Sequence, residues 1–166
     1  MREGAVEQLY RLHRKELTVY LFALCQNAEL AEDLVQETFL KALLCFPHGH
    51  TNVRAWLYAV ARNLCINYLK KERRQFPLEE AGELPAGGLS LSDRLIREEE
   101  IRELLKGLSL LSPEKREILT LYYFSGMPQK DIAGLLNLSP EAVRVQSFRA
   151  RQELKHFLEV HHEEAG

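Results

Sequence analysis

The residue types that stand out along this chain are arranged for recognition rather than for making or breaking bonds. Arg144, Arg149 and Arg151 cluster near the C-terminal end, with Lys155 beyond them. A guanidinium group offers a planar fork of donors that matches guanine edges and phosphates. Trp56, Asn63, Asn67, Lys70 and Arg74 follow one another at spacings of 7, 4, 3 and 4, one stripe of an α-helix, and Lys71 stands beside them. An aromatic ring, amides and cations on one face suit single-stranded nucleic acid: bases stack on the ring and the cations meet phosphates. A tryptophan in the core beside a solvated, cationic helix end fits the same pattern. Cys45, His48 and His50 could hold a metal, but they lack the paired spacing of a metal site, and a solvated loop is the simpler reading. No metal, cofactor or covalent chemistry is expected.

Charge supports two separate contacts. The net charge of −2 and pI near 6.3 are unlike those of a stand-alone DNA binder. The cations are nevertheless gathered. Arg54, Arg62, Lys70, Lys71, Arg73 and Arg74 form one basic stretch against Glu72, and Arg144, Arg149, Arg151 and Lys155 form another against Glu153. Between them lie Glu79, Glu80 and Glu83. Two basic sites joined by an acidic connector point to a protein that touches nucleic acid twice, with help from a partner.

The elements that must position these residues are helices, since no sustained alternation of period two occurs. The 166 residues suffice for one domain or two small ones. Residues 5–25 place Leu9, Leu12, Leu17, Tyr20, Leu21 and Leu24 at helical spacing. Residues 28–45 predict a second helix with Ala31, Leu34, Val35, Thr38, Phe39 and Ala42 inside, and Asp33, Gln36, Glu37 and Lys41 outside with Leu40 among them. Pro47 and Gly49 break the chain. A third helix from Val53 to Arg74 is expected to turn Val53, Leu57, Val60, Leu64 and Tyr68 inward. Residues 75–93, rich in proline, glycine and serine, read as a flexible acidic linker. The chain thus divides into modules at 1–74 and 94–166, with no internal repeat. Cys25, Cys45 and Cys65 sit among apolar residues and are expected to be buried thiols in a reducing compartment. The start carries no signal pattern, and the longest apolar stretch, Leu17 to Cys25, is far short of the ~20 residues a membrane helix needs. A cytoplasmic protein without membrane insertion is expected.

The second module carries the sharpest local signals. A charged helix is expected over 94–107. Ser112-Pro113-Glu114 starts the next: serine caps and proline fits the first helical position. Gly126 ends it, Pro128 opens a short helix to Leu136, and Ser139-Pro140-Glu141 opens the last, which runs to about Val160. Ala133 is small enough for two helices to cross, Asn137 tolerates a left-handed backbone, and Ile132, Leu136, Leu138 and Val143 can lock the second helix. The Ala133–Asn137–Val143 spacing is that of a helix-turn-helix. An ordinary helical hairpin is the alternative; the arginines on the last helix favour DNA. Arg144 and Arg149, five residues apart, point about 140° from each other and cannot serve the same contact. Phe148, one turn after Arg144, fits either a thymine methyl or the core.

Four segments now combine. Asp33-Leu-Val-Gln-Glu-Thr-Phe39, Arg54-Ala-Trp-Leu-Tyr-Ala-Val-Ala-Arg-Asn63, Leu111-Ser-Pro-Glu-Lys-Arg116 and Asp131-Ile-Ala-Gly-Leu-Leu136 occur in that order. Nearly the whole chain resembles the bacterial RNA polymerase sigma factors of the extracytoplasmic-function type, in the sigma-70 family, which keep only sigma regions 2 and 4 and a linker. The resemblance implies two all-α modules and a subunit that directs promoter-specific initiation. It implies that Asp33, Gln36, Glu37 and Lys41 dock on core RNA polymerase (beta and beta-prime subunits). Trp56, Asn63, Asn67, Lys70 and Lys71 would open the minus-ten element and hold its non-template strand, and the loop containing His48, His50 and Asn52 would capture a flipped base. Arg144, Val145, Phe148 and Arg149, with Arg151, would read the minus-thirty-five element. The linker would thread near the polymerase active site, and an anti-sigma factor is a further implied partner.

Some positions depart from the family. Asn67 stands where aspartate is usual, Glu141 and Ala142 replace Gly-Thr before Val143, and Val145 and Gln146 stand where serine and arginine are common. These predict an unusual upstream element and leave the fold signals intact. The alternatives are a sigma-like decoy that titrates an anti-sigma factor, a plain helix-turn-helix regulator acting without core polymerase, and a metal enzyme built on Cys45, His48 and His50.

Overall fold

Helix α1 (Arg2–Cys25) is buried almost all round from Leu17 to Ala23, because α2 (Ala28–Leu44) and α3 (Val53–Gln75) both pack against it. A computed structural model of the chain describes residues 2–46, 52–75 and 99–165. Its contacts separate two units, Met1–Gly88 and Leu89–Gly166. The architecture is all-α, and the described residues contain no strand.

The α1–α2 turn takes two residues. Gln26 adopts a left-handed backbone (φ 57°), which costs a non-glycine residue about 1–2 kcal/mol. Its side-chain amide offsets this by donating to the Phe22 and Ala23 carbonyls, each at 3.2 Å. Asn27 then caps α2, its Oδ1 accepting from the Leu30 amide at 3.1 Å. So tight a turn holds α1 and α2 as neighbours.

The α2 stripe buries the six expected positions, with Ala28 added at its start. Phe39 meets the Tyr10 ring edge-on at 5.0 Å. The centre of this unit is the pair Tyr20 and Tyr58, both fully buried with ring centroids 5.1 Å apart. A bridge from Arg54 Nε to Glu16 (3.0 Å) ties α3 to α1, and Glu16 also meets His13 Nδ1 (2.9 Å).

Two helix faces differ from expectation. The inner line of α3 is Leu57, Tyr58, Ala61 and Cys65, while Val53, Val60 and Leu64 are half-buried and Tyr68 is exposed. The helix is rotated so that the Tyr58 ring packs beside Tyr20 inside the unit and Tyr68 faces outward. On α1, Leu12 is 64% exposed, and Val6 and Val19 join the core. Of the cysteines only Cys65 is buried; Cys25 is half-buried and Cys45 exposed at the end of α2.

The second unit contains α4 (Glu99–Ser109), α5 (Pro113–Tyr123), α6 (Gln129–Leu136) and α7 (Pro140–Ala165). Its start over 94–98 lies outside the described residues, and α7 continues past Val160. Leu108, Leu111, Leu119, Ala150 and Leu154 form the core, covered by Phe124, Phe157 and Leu158. Gly107 permits the close approach of α4 to α7, since a Cβ there would stand 2.6 Å from Leu154 Cδ1. Arg116 is buried beneath the end of α4 and donates to the Leu111 and Ser109 carbonyls at 3.3 and 3.4 Å. Those bonds satisfy carbonyls that the ending helix leaves unpaired. Burial draws the Arg116 pKa below its ordinary value. Lys115 also pairs with Glu153, fastening α5 to α7.

Candidate nucleic-acid interface

The helix-turn-helix is built from α6, a left-handed turn and α7. The Phe124–Met127 segment leaves α5 with Gly126 at φ +59°, and the Met127 amide donates back to the Leu121 carbonyl at 3.0 Å. After eight residues α6 stops at Asn137, whose φ 57° and ψ 46° are left-handed. The Leu138 amide then reaches back to the Ala133 carbonyl at 2.9 Å. Ser139 caps α7, its Oγ accepting from the Ala142 amide at 3.1 Å. Ile132, Ala133 and Val143 are buried and Leu136 and Leu138 half-buried, so the turn closes over apolar contacts.

On α7 the buried line is Val143, Ser147, Ala150 and Leu154, at spacings of 4, 3 and 4. That line leaves Arg144, Val145, Phe148, Arg149 and Arg151 exposed. Phe148 is 54% exposed and Val145 43%, which settles the position of that ring outside the core. Two apolar side chains three residues apart project together among cations, a combination that a merely solvated face has no need of.

On α3, Asn63, Asn67, Lys70 and Lys71 are exposed and Trp56 is half-buried. The indole is therefore neither sealed in the core nor a free-standing platform. Asn52 acts on its own backbone neighbourhood, where its Oδ1 accepts from the Ala55 amide at 3.1 Å and caps the start of α3. His48 and His50 lie outside the described residues, as does the Arg74 side chain. Among the described residues no three His, Cys, Asp or Glu side chains gather where a metal could sit.

On α2, Asp33, Gln36, Glu37 and Lys41 are all exposed on one edge. Gln36 has a partner that spacing could not reveal: its Nε2 donates to the Tyr10 hydroxyl on α1 at 3.3 Å. Hydrogen bonds from Arg14 and Gln36 draw the Tyr10 pKa below its ordinary value. The edge continues into Leu40, Leu43 and Leu44, exposed by 56%, 37% and 75%. Leu43 and Leu44 were not singled out from the sequence, although their place beyond the inner stripe was a usable signal.

The chain matches the family descriptions "Sigma-70 region 2" over residues 9–75 and "Sigma-70, region 4" over residues 101–154. It is 32% identical to the ECF RNA polymerase sigma factor SigM of Bacillus subtilis, covering 90% of this chain and 93% of that protein. It is 34% identical to the RNA polymerase sigma factor YlaC of the same organism, covering 91% and 90%. The chain belongs to the extracytoplasmic-function sigma factors of the sigma-70 family.

This sigma factor directs promoter-specific initiation of transcription as an alternative specificity subunit, and sigma factors are regulatory proteins rather than enzymes. Its fold agrees with a solved relative, the sigma factor RpoE in complex with the anti-sigma factor NepR from Bartonella quintana. The TM-score is 0.75 at 25% identity, covering 93% of this chain and 96% of that one. Among the described residues no helix of the sigma factor is long and apolar enough to cross a membrane.

Proposed function

We propose that the sigma factor divides its work among the exposed faces of α2, α3 and α7. The edge of Asp33, Gln36, Glu37 and Lys41 docks on the beta and beta-prime subunits of core RNA polymerase. Trp56, Asn63, Asn67, Lys70 and Lys71 hold the opened minus-ten element, with Asn52, His48 and His50 at the base-capturing loop. Arg144, Val145, Phe148, Arg149 and Arg151 read the minus-thirty-five element. Residues 1–74 thus carry docking and melting, 94–166 carry upstream recognition, and 75–93 join them. The protein works in the cytoplasm without catalysis or cofactor, and an anti-sigma factor restrains it, as the NepR complex of the related RpoE supports.

The observation that carries this reading is the same on all three helices: a filled apolar line on one side and unburied polar, cationic or aromatic side chains on the other. Reconstituted transcription with core polymerase tests it. Asp33→Ala with Glu37→Ala is expected to weaken core binding without unfolding the chain. Asn63→Ala with Asn67→Ala is expected to keep core binding and lose strand opening. Phe148→Ala is expected to keep both and lose upstream selectivity. Loss of the same step by all three variants overturns the division of labour.

A further inference from the structure

Gln36 stands on the exposed edge of α2 with Asp33 one turn before it and Glu37 beside it. Several bonds turn freely between a glutamine backbone and its amide, and fixing them when a partner binds costs affinity. In this chain they are fixed beforehand. Gln36 Nε2 donates to the Tyr10 hydroxyl at 3.3 Å, from α2 to α1 and across 26 residues of sequence. Tyr10 can hold the amide because it is itself held. Its ring is half-buried and meets Phe39 edge-on at 5.0 Å, and Phe39 belongs to the buried stripe of α2. Arg14, one turn further along α1, lies over the same ring at 5.7 Å, and its Nη1 donates to the same hydroxyl at 3.5 Å. The phenol oxygen therefore accepts twice, which fills its two lone pairs. Tyr10 thus spans one turn of α2, with its ring on Phe39 and its oxygen on Gln36. The amide nitrogen is committed to α1, and the amide oxygen is the end left for a partner, beside the carboxylates of Asp33 and Glu37.

We propose that Tyr10 is a positioning residue for polymerase docking: its hydroxyl holds the Gln36 amide so that core polymerase meets an acceptor already in place. Tyr10 acts through Gln36, and Arg14 acts through Tyr10. The docking edge is then a product of two helices, although its contacting side chains stand on α2 alone. This role holds only if that edge docks on core polymerase, as proposed above.

Tyr10→Phe keeps the ring on Phe39 and removes only the hydroxyl, so it tests positioning without opening the core. Two measurements on the full chain read it. In the free protein, nitrogen relaxation of side-chain amides is expected to show the Gln36 amide ordered in the parent and mobile in Tyr10→Phe, with the thermal melt unchanged. In titrations with core polymerase, Tyr10→Phe is expected to weaken binding about 2- to 10-fold, the cost of fixing one long side chain. Gln36→Ala is expected to weaken binding as well, and Tyr10→Phe added to Gln36→Ala to change nothing further. A merely structural tyrosine would lower the melt and leave no such dependence on Gln36. A Gln36 amide equally mobile in both chains, a strongly lowered melt, or losses that add in the double variant overturns the role. Full affinity of Tyr10→Phe, while Asp33→Ala with Glu37→Ala binds weakly, overturns it and leaves the docking edge standing. Full affinity of Gln36→Ala and of Asp33→Ala with Glu37→Ala removes the docking edge and the role with it.

Discussion

The two units expose their proposed working faces by opposite means. In the first, the helices are long and nothing in the backbone of α3 between Val53 and Gln75 marks the residues that face outward. What aims Asn63, Asn67 and Lys70 is the packing behind them: Leu57, Tyr58, Ala61 and Cys65 fill the space against α1 and α2. In the second, the helices leading to the exposed α7 face are short, α6 only eight residues, and two left-handed residues set their directions. Gly126 turns the chain out of α5 and Asn137 turns it into α7. The first face is the residue of a packing problem, and the second is the product of turn chemistry. A packed face is sensitive to side-chain volume, whereas a turned face is sensitive to which residues tolerate a positive φ.

The largest expected effect breaks the packing. Tyr58→Ala removes a fully buried ring and should cost about 3–5 kcal/mol of stability. Trp56 is the sole tryptophan, so urea unfolding followed by its fluorescence reads α3 directly. A cost below about 1 kcal/mol means that this packing does not aim the helix.

The next effect separates reading from stability. Phe148→Ala should leave the thermal melt within about 0.5 kcal/mol of the parent, since the ring is exposed. Bound to core polymerase, the variant should lose about 1–3 kcal/mol of preference for its upstream element and almost none on scrambled DNA. Calorimetry and competition binding check the two parts, and a strongly lowered melt ends the assignment of Phe148 to the groove.

Turn chemistry is tested at Asn137. Asn137→Val places a β-branched side chain at φ 57° and should cost about 1–2 kcal/mol. Asn137→Gly should be close to neutral, because glycine adopts that backbone without strain. Equal losses from the two substitutions, read by circular dichroism, mean that the asparagine side chain matters more than its backbone.

The smallest effect concerns phosphate. Arg149→Ala should weaken the polymerase holoenzyme on specific and scrambled duplexes alike, and lower the slope of log affinity against log salt by about one unit. A slope that stays unchanged, with selectivity lost instead, moves Arg149 from phosphate to base edges.

Much of this architecture is settled by contacts between residues three or four apart, and those can be read along the chain. Ser112 and Ser139 cap α5 and α7, and Asn137 turns left-handed between α6 and α7, because each decision is made by a side chain and its own nearby backbone. The α2 stripe was equally legible, since one face is uniformly apolar and the other polar. On α3 apolar residues occupy more than one face, so spacing alone did not choose between Tyr58 and Tyr68; the neighbouring Tyr20 chose. The same holds for Phe148, whose exclusion from the core follows from Ser147 and Ala150 already filling the contact against the other helices. The bond from Gln36 to Tyr10 joins residues on different helices. Sequence alone determines where helices begin, end and turn, because those are local energies. The rotation of each long helix, and the pairs that face across it, depends on distant side chains competing for the same enclosed volume, and only the tertiary structure decides that competition.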